Sequence, residues 1–151
     1  MKTFNIVLFN PKIPPNTGNI IRLCANTGSK LHLIKPLGFE LNEKSLRRAG
    51  LDYDHKVKIE VYETIEKCLK KINCKKSFLV TKFGDTSYDK QQYNLGDCFI
   101  FGSETKGLPK EIFQKFKKFP RIFIPMIPNN RSINLANAVS ICVYEAWKQN
   151  N

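Results

Sequence analysis

The chain is poor in most of the residues and patterns that would tie it at once to a chemistry. Acidic residues are scarce: 13 Asp and Glu stand against 25 Lys and Arg, for a formal net charge of +12 over 151 residues. That balance favours an acidic partner such as nucleic acid, because cationic side chains gain counterion-release energy on a phosphate backbone. Most of the cations are lysine, which a compositional bias also produces, so the charge permits RNA without proving it. Histidine is confined to His32 and His55, neither set at zinc-finger or H-E-x-x-H spacing. The five cysteines, Cys24, Cys68, Cys74, Cys98 and Cys142, contain no C-x-x-C pair. No metal is expected, and thiols so scattered and odd in number read as reduced. There is no G-x-G-x-x-G after the first strand pattern, no G-x-x-x-x-G-K-[ST] and no G-x-S-x-G. These absences argue against a dinucleotide-binding Rossmann unit, a P-loop NTPase and a nucleophile-elbow hydrolase. No apolar run reaches membrane-spanning length, and Met1-Lys2-Thr3-Phe4 leads into Ile6-Val7-Leu8-Phe9 without room for a secretory leader. A cytoplasmic protein with no membrane partner is expected.

What the chain does have is a regular alternation of short apolar runs and helical patterns. Phe4 to Phe9, Leu31 to Ile34, Val57 to Tyr62, Phe78 to Thr81, Cys98 to Phe101 and Ile122 to Ile124 read as strands, several with both faces buried. Helices are expected over Gly18 to Thr27, Glu43 to Ala49 with Gly50 as its stop, Ile65 to Ile72, Lys110 to Phe116, and a last one running to Trp147. Strands alternating with helices imply an α/β fold, a mostly parallel sheet covered on both faces, in a single domain spanning 1–151. Asp85 to Gly96 reads as a polar loop. The last helix carries Ile133, Leu135, Ala136, Ala138, Val139, Ile141, Cys142, Val143, Ala146 and Trp147 on more than one face. Such a helix is buried twice, either between the sheet and a second copy of the chain or wholly inside the monomer.

Three loops hold the chemistry-bearing residues. After the first strand, Asn10-Pro11-Lys12-Ile13-Pro14-Pro15-Asn16-Thr17-Gly18-Asn19 leads to Arg22, with Asn16 or Thr17 suited to cap the helix. Arg22 among Ile20, Ile21, Leu23 and Cys24 either faces solvent or pairs with an anion. A place beyond the carboxyl end of a parallel strand is where open α/β sheets bind ligands. The second loop, Gly102-Ser103-Glu104-Thr105-Lys106-Gly107-Leu108-Pro109, has glycines that permit close backbone approach. The third, Ile127-Pro128-Asn129-Asn130-Arg131-Ser132, joins a strand to the last helix, where free N–H groups either hold a polar ligand or merely form a capped turn.

Taken together, Asn16-x-Gly18-Asn19-x-x-Arg22, Phe101-Gly102-x-Glu104-x-x-Gly107-Leu108-Pro109, and Ile124-Pro125-Met126 followed by Arg131-Ser132-Ile133-Asn134-Leu135-Ala136-Asn137 resemble the three motifs of SPOUT-class (TrmH-like) RNA 2'-O-methyltransferases. The resemblance runs essentially the full length. With Leu46-Arg47-Arg48-Ala49-Gly50-Leu51-Asp52-Tyr53 and Tyr144-Glu145-Ala146-Trp147, it is strongest to the minimal single-domain branch that acts on the tRNA wobble position.

The resemblance implies a carboxyl-terminal deep trefoil knot and S-adenosyl-L-methionine as methyl donor, with S-adenosyl-L-homocysteine as product and no metal. It places the cofactor against Val80, Gly102, Ile124, Met126 and Ser132, and the chemistry on Arg22 and Asn16. A guanidinium stays protonated in proteins, so Arg22 suits a donor role better than that of a base. Asn16 is expected to orient Arg22 or the ribose, and Glu104 to pair with Arg22 or to cap its own loop. RNA contacts are expected from Arg131, Tyr144, Arg47 and Arg48, with tRNA as substrate and a homodimer through the last helix. Two other functions stay open: the same reaction on ribosomal RNA or another tRNA ribose, and RNA binding without catalysis.

Overall fold

Val7, Leu79, Cys98 and Ile100 are buried in one core, and their neighbours Ile6, Leu8, Phe78, Phe99 and Phe101 are buried in another. That alternation, residue by residue, is what a strand shows when both of its faces are covered. The computed structural model describes residues 3–42, 44, 47 and 57–151. Its elements are β1 (Asn5–Phe9), α1 (Pro14–Thr27), β2 (Lys30–Ile34), β3 (Ile59–Tyr62), α2 (Ile65–Ile72), β4 (Ser77–Val80), β5 (Thr86–Ser87), β6 (Cys98–Phe101), α3 (Lys110–Lys115), β7 (Arg121–Phe123) and α4 (Leu135–Gln149). The seven strands form one sheet in the order β3-β2-β1-β6-β4-β7-β5, every pairing parallel. Residues of α1 and α4 pack in the core that holds Phe99, and residues of α2 and α3 in the core that holds Ile100. Phe78 stacks on Phe99 at 5.7 Å between ring centroids and meets Tyr93 edge-on at 4.9 Å. Burying each such ring contributes roughly 1.5–3 kcal/mol.

Several boundaries differ from the sequence expectations. The first helix starts at Pro14 rather than Gly18, because two prolines fit the first turn of a helix, where no N–H donor is needed. Its cap position is Ile13, with no side-chain bond, so neither Asn16 nor Thr17 is the cap. The polar stretch after β4 contains the two-residue strand β5 and a single 3-10 turn, Tyr88–Lys90. Asn134 caps α4, accepting the Asn137 N–H at 3.2 Å, and the helix runs on to Gln149. The expected helix over 43–49 lies almost wholly outside the described residues. Among the described residues, no helix is long and apolar enough to cross a membrane.

A polar chain crosses the three strands at one side of the sheet. His32 Nε2 lies 3.1 Å from Asn5 Oδ1, a pairing that needs the ring proton on Nε2. Tyr62 donates to Glu60 at 2.7 Å, its hydroxyl 3.4 Å from His32 Nδ1, and Lys71 closes on the same carboxylate at 2.6 Å. Burial pushes the His32 imidazole down to about 4, so the ring is neutral. The Lys71 and Tyr62 hydrogen bonds hold Glu60 down at about 2.

Candidate active site

A parallel sheet puts the carboxyl ends of all its strands on one edge, and the loops after β4, β6 and β7 meet there. They enclose a cleft of about 210 Å³. Val80, Phe101, Leu108, Ile124, Met126 and Leu135 supply its apolar lining, and Lys82, Glu104, Lys106 and Ser132 supply polar groups. All five residues expected at the cofactor, Val80, Gly102, Ile124, Met126 and Ser132, line this one cleft. Ser132 is exposed in the hinge before α4, two residues ahead of the cap, rather than in the helix itself.

Gly102 is required by its surroundings. A Cβ there would stand 2.1 Å from the Gly107 carbonyl carbon and 2.2 Å from the Leu108 nitrogen. The loop therefore folds back on itself, with the Gly107 N–H donating to the Ser103 carbonyl at 3.0 Å and Gly107 at φ +63°. The fold-back presents Glu104 to the first loop. Its carboxylate accepts the Lys12 N–H at 2.9 Å and the Ile13 N–H at 3.1 Å. Glu104 thus neither pairs with Arg22 nor caps its own loop. It fastens the start of α1 to the cleft, and a carboxylate at a helix N-terminus also meets the positive end of the helix dipole.

Asn16 is 6% exposed, and its Oδ1 accepts from Asn134 Nδ2 at 2.9 Å. One side chain therefore ties the first motif to the cap of α4, leaving Asn134 Oδ1 for the helix N–H. The neighbouring Thr17 hydroxyl is fully buried with no hydrogen-bond partner in the described structure. Arg22 faces solvent from α1 and makes no hydrogen bond or ion pair with the described residues. Arg131 is exposed in the hinge, and Arg47 is exposed as well. Tyr144 is 49% exposed and lies flat on Trp147, with centroids 5.6 Å apart and planes 1° apart. Arg48 lies outside the described residues. Among the described residues, no three His, Cys, Asp or Glu side chains are grouped to hold a metal.

The model of the SpoU rRNA Methylase family matches residues 3–144. The chain belongs to that family. Within SpoU relatives it is 50% identical over 148 residues, 98% of this chain and 96% of the relative, to the tRNA (cytidine(34)-2'-O)-methyltransferase of Methylovorus glucosotrophus strain SIP3-4. A solved structure described as giving insight into the 2-OH methylation of C/U34 on tRNA superposes with a TM-score of 0.87 at 38% identity, covering 99% of this chain and 97% of its own. The SpoU fold extends to AviRb from Streptomyces viridochromogenes, solved in complex with AdoMet. That match has a TM-score of 0.83 at 20% identity and covers 99% of this chain and 59% of AviRb.

The cleft of this SpoU chain has the make-up that an adenosine with a charged tail requires. Apolar side chains take a flat ring, the Gly102 fold-back lets backbone come close, and the hinge leaves Ser132 exposed beside it.

Proposed function

We propose that this protein transfers a methyl group from S-adenosyl-L-methionine to the ribose 2'-OH of the wobble nucleotide of tRNA, a cytidine or modified uridine at the first anticodon position, releasing S-adenosyl-L-homocysteine and the hydroxyl proton. The observation that carries the reading is that the second and third motif loops line one cleft, with the first loop tied to them through Glu104 and Asn134, in a chain that shares half its residues with a wobble-cytidine enzyme. Val80, Gly102, Ile124, Met126 and Ser132 would hold the cofactor, which when bound supplies an electrophilic methyl carbon and needs no metal. The chain's own part is to align the oxygen and to manage its charge. Arg22, which makes no hydrogen bond or ion pair with the described residues, donates hydrogen bonds to the developing alkoxide or to a phosphate beside it. Asn16 acts as a positioning residue, since its carbonyl is engaged by Asn134. Glu104 keeps the helix that carries Arg22 in register with the cleft.

RNA contacts fall to Arg131, Tyr144 and Arg47, with phosphates gripped by the arginines. A second copy completes the molecule by packing on the face of α4 that carries Ile141, which is only partly buried and lies outside both cores. The hinge over 124–134 belongs, in this reading, to a deep trefoil knot. Support comes from the hinge and the 102–109 loop lining one cleft while α4, beyond the hinge, packs on α1. One sheet holding all seven strands supports a single domain, and a tRNA substrate puts the work in the cytoplasm.

Nucleoside mass spectrometry of tRNA and ribosomal RNA from a deletion strain tests the function. The expected result is loss of the 2'-O-methyl group at the wobble nucleotide and its return on incubation with purified protein and cofactor. Loss from ribosomal RNA or from another tRNA ribose would overturn the assignment. Absence of cofactor binding by calorimetry would leave only an RNA-binding module.

A further inference from the structure

The loop after β4 holds a phenylalanine in solvent, and the loop is built to keep it there. Thr81 N–H donates to the Ile122 carbonyl at 2.9 Å, Gly84 N–H to the Thr81 carbonyl at 3.0 Å, and Asp85 N–H to the Arg121 carbonyl at 3.0 Å. Phe83 N–H reaches Thr81 Oγ1 at 3.2 Å. Gly84 is pressed so close to β7 that a Cβ would lie 2.5 Å from the Ile122 carbonyl carbon. The turn is thus fastened on both sides of Phe83, yet the ring itself is 74% exposed and lines the mouth of the cleft. Lys82 Nζ sits 5.2 Å from its centroid, and Lys106 of the 102–109 loop lines the same cleft. An exposed ring held in a fastened turn, with Lys82 over its face and Lys106 lining the same cleft, suits a ligand with a flat face and a negative charge.

We infer that Phe83 is a stacking platform for a base of the substrate RNA next to the methylated nucleotide, with Lys82 and Lys106 on the adjoining phosphates. Single-stranded RNA is held in this way, by bases on aromatic faces and a cationic track along the backbone. The inference rests on the proposed tRNA function and names a contact within it. The cofactor is the other molecule with a purine, but its pocket lies among Val80, Ile124, Met126 and Leu135, which are buried or half-buried. Phe83 lines the same cleft, but its ring is three-quarters in water and belongs to the open rim rather than to that lining. Lysines there favour a polyanion over the cationic sulfonium.

The test is steady-state methylation of tRNA by wild type, Phe83→Ala, Phe83→Leu and Phe83→Trp, with cofactor affinity measured separately by calorimetry. Phe83→Ala and Phe83→Leu are expected to raise KM for tRNA about tenfold, the size of one lost base–aromatic stack, with kcat and cofactor Kd unchanged. Phe83→Trp is expected to keep the wild-type KM, which separates stacking from simple bulk. Lys82→Ala should also flatten the salt dependence of tRNA binding by about one phosphate contact. An unchanged KM in Phe83→Ala, a weakened cofactor Kd, or a shift in oligomeric state would each overturn the platform. Failure of the wild type to methylate tRNA would instead overturn the function on which it rests.

Discussion

Arg22 and Glu104 divide the electrostatics of the site between them. Glu104 spends its charge on two backbone N–H groups, and Arg22 is left without a partner among the described residues, on an exposed helix face. In the proposed function this guanidinium meets the oxygen on which negative charge develops, and such a donor contributes most in the transition state. Arg22→Ala is therefore expected to lower kcat by about 10²–10³, the usual effect of losing one such donor, with cofactor affinity unchanged by calorimetry. Loss of both would mean that Arg22 holds the cofactor rather than the reacting oxygen. Roles at this scale were unevenly legible. The motif residues could be named from spacing, but the true partners of Glu104 are main-chain donors, which carry no side-chain signature. Phe83 has no signature in the sequence, because exposure depends on what the rest of the chain leaves uncovered.

At the scale of elements, the chain from Asn5 through His32 and Tyr62 to Glu60 and Lys71 links β1, β2, β3 and α2. It should make stability depend on acid. Burial lowers the His32 pKa from 6.5 to about 4, so the unfolded chain binds the proton more readily. The stabilising contribution is then complete above 6.5 and is lost as pH falls through the window from 6.5 to about 4. Converted at about 1.4 kcal/mol per tenfold change in proton affinity, it comes to about 3 kcal/mol. Urea unfolding at a series of pH values should show this slope in the wild type and lose it in His32→Gln. An equal slope in both would assign the acid sensitivity to other groups. Most strands and helices were readable from the sequence because buried runs of period two and 3.6 dominate this fold. Thr86–Ser87 was not, since two polar residues hold strand geometry only through pairing with β7. Nor was the start of α1, where two prolines could equally have stiffened a loop.

The whole molecule carries a formal net charge of +12 on 151 residues, so the RNA contacts and the second copy of the proposed function would share limited surface. Ile141 faces outward from α4, while Val139, Cys142 and Val143 of the same helix are fully buried. Ile141→Glu is expected to convert a dimer to monomers in sedimentation equilibrium, with little change in the fold by circular dichroism. A monomeric wild type would remove the two-fold molecule from the proposal. The hydrogen bond from Asn134 to Asn16 spans 118 positions of sequence, and the cleft is closed only by residues of the hinge and α4, late in the chain. During translation the ribosome therefore produces the first motif long before its counterpart exists. A nascent or interrupted chain ending before the hinge would carry cationic residues that attract RNA but no completed pocket, so the capacity to modify is among the last properties the growing polypeptide acquires.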